Sequence, residues 1–253
     1  MTGNPISKVP EVTLLFWVIK IAATTLGETA GDAVSMSMDL GYLIGTAIFA
    51  TIFIVFVLVQ IKQIGFHSFI YWTTIIATTT VGTTLADFAD RSLGVGYAGG
   101  SSILLVLLSV SLFVWYRSLG TVSVESVSSS GKAEMFYWIT IMFSQTLGTA
   151  LGDWTADTAD LGYEGGALVF SGLLALVAGA YYWANISHTL LFWMAFILTR
   201  PLGAVAGDLL DKPISAGGMN FSRFSASGVL LAVMVVCIVI SGKLQARQKA
   251  ELA

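Results

Sequence analysis

Apolar runs of membrane length recur along the chain. Each is preceded by a stretch of similar length in which threonine, glycine and isolated charges interrupt the apolar pattern. The plain runs include Leu43–Ile61, Ile103–Trp115, Leu168–Trp183 and Val229–Ile240. A helix crosses the hydrocarbon layer with about 20 mostly apolar residues, a length these runs reach with their flanks. They predict helices at about 43–62, 98–117, 165–184 and 226–243, and the interrupted stretches predict helices at about 12–35, 67–90, 134–157 and 188–211. The first stretch follows Lys8 and has the outline of a signal peptide. Its pattern recurs three times in the interior, so it reads as a membrane helix.

The interrupted helices share one motif. Gly27, Gly82, Gly148 and Gly203 each follow a tryptophan by ten residues: Trp17, Trp72, Trp138 and Trp193. Four residues after each glycine stands a small residue (Gly31, Ala86, Gly152, Gly207), and the next position is aspartate (Asp32, Asp87, Asp153, Asp208). The first three copies add a tyrosine ten residues beyond the aspartate (Tyr42, Tyr97, Tyr163), which the fourth lacks. An internal repeat of this kind sets the fold before any local reading does. The distance from residue 27 to 148, and from 82 to 203, is 121 positions, and Asp39/Asp160, Asp90/Asp211 and His67/His188 recur at that offset. The expected architecture is therefore an all-α integral membrane protein of eight transmembrane helices. Four tandem helix hairpins (12–62, 67–117, 134–184, 188–243) would form one pseudo-twofold domain over 1–253, with nested fourfold character. Because each unit has two spans, the repeats run parallel, and all four aspartates fall near one membrane face.

Composition agrees with membrane burial: 56% of residues are hydrophobic, 11% are charged, and the mean hydropathy is +0.83. The net charge of −3 gives no footprint for nucleic acid. The single cysteine, Cys237, excludes an internal disulfide and a thiolate-rich metal site. Lys8, Lys62, Arg117, Lys132, Lys243, Arg247 and Lys249 lie at the termini or between units, against Arg91, Lys212 and Arg223 within the hairpin loops. The excess places both termini in the cytoplasm. The opposite end collects most of the acids, namely Glu28, Asp32, Asp39, Asp87, Asp90, Asp153, Asp157, Asp160, Glu164, Asp208 and Asp211. Such a mouth attracts cations.

The glycines and small residues form G-x-x-x-[GA] strips suited to close helix packing in lipid. Each aspartate borders that strip and points inward, as helical periodicity requires. Carboxylates near hydrocarbon are costly and usually have a functional reason. A cluster of them, enlarged by Asp90 and Asp211 one turn on, must bind protons or cations to be tolerated. The alternative is that the acids fasten the hairpins. Lys20, Glu28, Thr24, Thr25, Thr79, Thr80, Gln145 and Thr146 add mid-membrane polarity, and Arg200-Pro201 occupies the same level in the fourth copy. Arg200 needs a partner, for which Glu28 is the candidate; Lys20 and Arg200 could couple transport or form ion pairs. His67 and His188 could ligate haem between helices, although both sit at aqueous-edge positions. The tryptophans read as interfacial anchors. Neither a P-loop nor a Ser/His/Asp arrangement is present, so no enzyme is expected.

With Trp17, Trp72, Trp138 and Trp193, and with Gly31-Asp32, Gly152-Asp153 and Gly207-Asp208 laid out, the chain resembles a family of bacterial membrane proteins known only for four tandem two-helix repeats of unknown function. The second copy departs mildly, with Ala86-Asp87. The resemblance spans roughly 12–243 and implies the eight-helix topology and the bacterial inner membrane. It implies no activity. From the residues, the expected function is a transporter or channel for a small inorganic cation, the partners being that ion and the lipid bilayer. The donors are all oxygen, which suits a hard divalent metal ion at Asp32, Asp87, Asp153 and Asp208. Glu28, Asp90, Asp211, Thr25, Thr80 and Gln145 would line its path. No cofactor is required, and a homo-oligomer stays open. The competing readings are a non-transporting scaffold or sensor and a haem-binding redox protein.

Overall fold

The computed structural model describes residues 7–251. Residues 1–6 and 252–253 lie outside that range, as does the side chain of Lys249, one of the basic residues assigned to the cytoplasmic set. The described residues are helical, without strands. The eight long helices are α1 (Leu14–Asp32), α2 (Gly41–Lys62), α3 (Ser68–Asp87), α4 (Tyr97–Leu119), α5 (Gly131–Asp153), α6 (Gly162–Trp183), α7 (His188–Asp211) and α8 (Arg223–Glu251). Six of them are long and apolar enough to cross a membrane. The other two, α3 and α5, are diluted by polar residues; α3 alone carries seven threonines.

The motif helices form a closed inner ring in which α1 packs on α3, α3 on α5, α5 on α7 and α7 back on α1. The plain helices lie outside it. Only 6% of the most apolar window of α2 is buried, against 67% for α7, so the outer helices present an apolar surface outward. One expectation is corrected. The two helices of a unit do not form a self-packed hairpin: α2 covers α3, α4 covers α5, α6 covers α7, and α8 covers α1. Each outer helix thus clothes the motif helix of the following repeat, and α8 closes the circle.

Glycine sets the spacing of the ring. A methyl group added at Gly27 would overlap the Thr79 side chain, one at Gly148 the Arg200 side chain, and one at Gly203 the Thr24 side chain. At Gly82 it would stand 2.9 Å from the Gln145 carbonyl carbon. Each of these intruders lies three residues before the glycine of its own helix, so one contact is repeated four times around the ring. The next turn repeats the device. Gly31 faces Thr83, Gly152 faces Ala204 and Gly207 faces Glu28. In this second layer the fourth position is Ala86, whose Cβ the ring accommodates.

The end near the termini is closed by aromatic rings. Phe16, Tyr71, Tyr137 and Phe192, one position before each repeat tryptophan, are all buried. The Tyr71 and Tyr137 hydroxyls share a hydrogen bond of 2.7 Å. Trp72, Trp138 and Trp193 are buried in the same cluster, joined by Trp115 from α4. The reading of the repeat tryptophans as interfacial anchors is therefore corrected: only Trp17 is even partly exposed, and they form a floor of interlocked rings. The segment before α1 is strapped beneath this floor. Lys8 Nζ reaches Glu134 at 2.7 Å and the Ile61 carbonyl at 2.9 Å, while Gln60 donates to the Lys8 carbonyl at 3.1 Å.

Gly27→Ala should cost about 1–3 kcal/mol through overpacking against Thr79. Gly172→Ala, on the open face of α6 with nothing within 4 Å, should be neutral or stabilising by up to about 1 kcal/mol. Thermal unfolding of the detergent-purified variants checks both.

Candidate functional site

Counting from each repeat glycine, the buried inner positions recur every four residues, and each group of four forms a layer. Above the aromatic floor lies Lys20, Ile75, Ile141 and Phe196, followed by Thr24, Thr79, Gln145 and Arg200. Next comes Glu28, Thr83, Thr149 and Ala204, then the four repeat aspartates. All sixteen residues are buried. A spacing of four keeps residues on one inclined ridge of a helix, which is why one stripe of each motif helix supplies every layer.

Arg200 projects upward from its own layer into the Glu28 layer. It donates to Glu28 Oε2 at 2.9 Å and to Thr83 Oγ1 at 2.6 Å, and it also bonds Thr149 Oγ1. The expected Arg200–Glu28 pair is formed, and it bridges the ring where three other helices converge on it. Pro201 does not interrupt α7, which runs unbroken from His188 to Asp211. The Thr199 carbonyl accepts from Thr24 of α1 at 3.1 Å.

At the aspartate layer the chain supplies its own cations. Arg91 lies 2.8 Å from Asp87 and 3.8 Å from Asp153 on the next motif helix. Lys212, its counterpart at the 121-residue offset, lies 3.0 Å from Asp208 and bonds Asp32 on the next motif helix. Arg223 adds contacts to Asp211 at 3.0 Å and to Asp32 at 3.7 Å. Burial alone would lower the Lys212 pKa. The Asp208, Asp32 and Asp211 carboxylates override it, and the ammonium is held above the ordinary lysine range. The expectation that these acids must recruit outside charge is thereby corrected, because two symmetry-related clasps already balance them in part. The residues responsible were visible in sequence, but as loop residues they entered only the orientation argument. Their position four residues after an aspartate is the signal that could have found them.

The metal quartet is also revised. Carboxylate oxygens of Glu28, Asp32 and Asp87 lie within 4.8 Å of one another, as do those of Asp32, Asp208 and Asp211. Asp32 belongs to both groups and Asp153 to neither. The four aspartates are thus not one ligand set; Glu28 and Asp211 complete two overlapping triads. Asp87 Oδ1, Asp208 Oδ1 and Asp211 Oδ1 are buried without a hydrogen bond among the described residues, although the first two lie within ion-pair distance of Arg91 and Lys212. Asp90 Oδ1 is likewise unbonded and sits against Gly100 of α4. Thr25 and Thr80 donate their hydroxyl protons to the Ile21 and Ile76 carbonyls of their own helices, and neither belongs to a carboxylate triad. Gln145 is buried in the ring and its amide is unbonded. Asp39 and Asp160 hold left-handed backbone at φ 55° and 56°, which makes them turn residues of the mouth rather than members of the site. His67 and His188 are exposed at the starts of α3 and α7, on opposite sides of the ring, and are not brought together for a haem.

Three motif helices pass, right after the aspartate, into a five-residue π turn: Ala33–Ser37, Phe88–Ser92 and Trp154–Thr158. Such wide turns are frequent at functional sites. The fourth repeat ends at Asp211 with Lys212-Pro213. A family model described as Repeat of Unknown Function (DUF347) matches residues 15–64, 70–121, 136–187 and 191–244. The chain belongs to this family. Its four matched segments take in the whole ring, the aspartate layer and both clasps. Neither a curated protein nor a solved structure matches the chain.

Arg200→Met should destabilise the fold by about 3–5 kcal/mol, because Glu28 is left buried without its partner. Adding Glu28→Gln should recover much of that loss. A double-mutant cycle by thermal unfolding reads the coupling directly.

Proposed function

We propose that the protein is a membrane-embedded carrier for a hard inorganic cation. In this reading all eight helices span the bacterial inner membrane, both termini are cytoplasmic, and the acidic end faces outward. The apolar outer helices and the excess of basic residues at the terminal end support that placement. The observation that carries the function is the pair of buried carboxylate triads, one touched by Arg91 at Asp87 and the other by Lys212 at Asp208. Oxygen-only donors favour magnesium, manganese or calcium over copper or zinc. Lys212 and Arg91 then act as tethered stand-ins for the cargo, holding the carboxylates until a cation displaces them. The aromatic floor and the Arg200–Glu28 bridge support a carrier rather than an open channel, since both cross the axis of the ring.

A second reading rests on the same clasps. Arg91 joins α3 to α5, and Lys212 joins α7 to α1, so the aspartates could serve only to fasten neighbouring repeats in a scaffold or sensor. The two readings diverge for Lys212→Met. In a carrier, removing the internal competitor should increase the thermal shift given by the cargo ion. In a scaffold, the variant should lose stability that no cation restores.

Thermal unfolding against magnesium, manganese, calcium, zinc, sodium and potassium tests the cation site first. A ligand at 100 times its dissociation constant stabilises by about 2.7 kcal/mol. A selective shift is expected, lost in the folded Asp32/Asp87/Asp153/Asp208→Asn variant, with uptake of the same ion into proteoliposomes. Shifts with none of the six would sink the carrier. Topology is checked in a Cys237→Ser background: an impermeant thiol reagent added outside should label Leu93→Cys and spare Ile64→Cys, both at exposed loop positions.

A further inference from the structure

Among the described residues, two buried charged side chains belong to no ion pair: Asp90 at the acidic end and Lys20 deep in the ring. Lys20 is wholly buried in α1, forms no salt bridge and no hydrogen bond among the described residues, and faces an aromatic ring. Its Nζ lies 4.2 Å from the centroid of Phe196. The other members of its layer, Ile75 and Ile141, are apolar and fully buried. An aromatic face offsets only part of the cost of taking an ammonium out of water.

The layer one turn above holds further unsatisfied polar groups, apart from those at the aspartate end and the aromatic floor. Thr79 Oγ1, Arg200 Nε and both side-chain polar atoms of Gln145 are buried without partners, as is Ser144 Oγ beside them in sequence. Thr79, Gln145 and Arg200 occupy equivalent positions on three helices, and the Arg200 guanidinium lies within 3.4 Å of the Thr79 carbonyl. The inventory is weighted toward donors. The Lys20 ammonium and Arg200 Nε–H can only donate, the Gln145 amide nitrogen donates, and the two hydroxyls can do so. The only unsatisfied atom in the set that solely accepts is Gln145 Oε1. Charge leans the same way: Glu28 matches Arg200, so a protonated Lys20 would have no carboxylate of its own at mid-bundle.

We propose that this stratum binds one small monovalent anion of the halide class. Lys20 is its counter-ion, and Gln145 Nε2, Thr79 Oγ1 and Arg200 Nε are its hydrogen-bond donors. One excess positive charge between Ile75, Ile141 and the Phe196 ring suits a single negative charge of small radius and disfavours a larger divalent oxyanion. The site lies between the aromatic floor and the Glu28 layer and shares Arg200 with the Arg200–Glu28 bridge, but it does not require the cation-carrier reading.

The test uses the full-length protein in detergent, exchanged into gluconate at fixed ionic strength. Radiolabelled chloride should bind at one per chain. Saturating chloride should raise the unfolding midpoint by about 5 °C over gluconate, bromide should substitute, and sulfate should not. Lys20→Met should abolish binding and chloride dependence together. Gln145→Leu, which keeps the charge, should weaken chloride binding on the order of ten-fold. Absence of chloride binding by the wild-type chain overturns the proposal and leaves Lys20 as a neutral amine. Undiminished binding by Lys20→Met overturns it as well. Should Lys20→Met fail to fold, wild-type stoichiometry and the Gln145→Leu titration decide the matter.

Discussion

The close approach of four motif helices is the constraint on which the rest of the structure depends. Close approach of this kind lets helices associate through packing and hydrogen bonding at short range, the means on which helices in lipid depend. Gly27, Gly82, Gly148 and Gly203 supply that range by accepting, in turn, Thr79, Gln145, Arg200 and Thr24 from the next helix. Because the contact is directional, running from each helix to its successor, four copies of it close into a ring instead of stacking as separate pairs. The plain helices follow from this. A motif helix that is occupied on both flanks by ring neighbours has only its outer side to cover. The preceding repeat's second helix takes that place, tying repeat to repeat.

A tight ring also explains how so polar an interior is tolerated. Threonines at the inner positions meet the helix that carries them or its neighbour: Thr24 bonds the Ile21 and Thr199 carbonyls, and Thr83 bonds the Gly27 carbonyl and Glu28. Buried polar groups that are satisfied in this way rigidify a core. The symmetry is broken where charge enters. At the 121-residue offset, Arg200 corresponds to Thr79 and Glu28 to Thr149, so one interface between the halves carries an ion pair where the other carries two hydroxyls. The shared glycine contacts keep the ring regular, and single inner positions that differ between the halves carry the charge.

Much of the ring was legible in the sequence, and the reason is geometric. Glycine, small residue and aspartate at fixed spacing report a helix–helix contact that admits no other side chain, so the repeat exposes its own packing code. The pairing of Arg200 with Glu28 was legible too, since a buried guanidinium must find a carboxylate. What escaped was information carried between elements. Nothing in the residues of α2 says that it covers α3 rather than α1, because an outer helix that is apolar all round has no face to read. The aromatic floor escaped for a different reason. Tryptophan is common at membrane interfaces, and that expectation masked the pattern one position earlier, where Phe16, Tyr71, Tyr137 and Phe192 line up in register. Arg91 and Lys212 look like loop charges until the helix is extended one further turn and their carboxylates come into reach.

The placement of these ion pairs bears on how such a ring could move. Arg91 to Asp153, Lys212 to Asp32 and Arg200 to Glu28 all cross the α3–α5 or α7–α1 interface, the two seams between the duplicated halves. Glycine packing is common to all four interfaces, Gly82, Gly203 and Gly207 serving the seams as Gly27, Gly31, Gly148 and Gly152 serve the halves, so the seams are set apart by their ion pairs. Packed interfaces of this kind resist gradual deformation, whereas a salt bridge at a partly accessible edge opens when a competing ion takes one partner. On the carrier reading, one cation displacing Lys212 and another displacing Arg91 would loosen opposite seams while each half stays rigid. The carboxylates freed at a seam are those that would hold the cargo, so binding and opening become the same event. The side-chain exposure of Arg91, 33% against 3% for both of its aspartates, marks its seam as the one that solvent cations reach first.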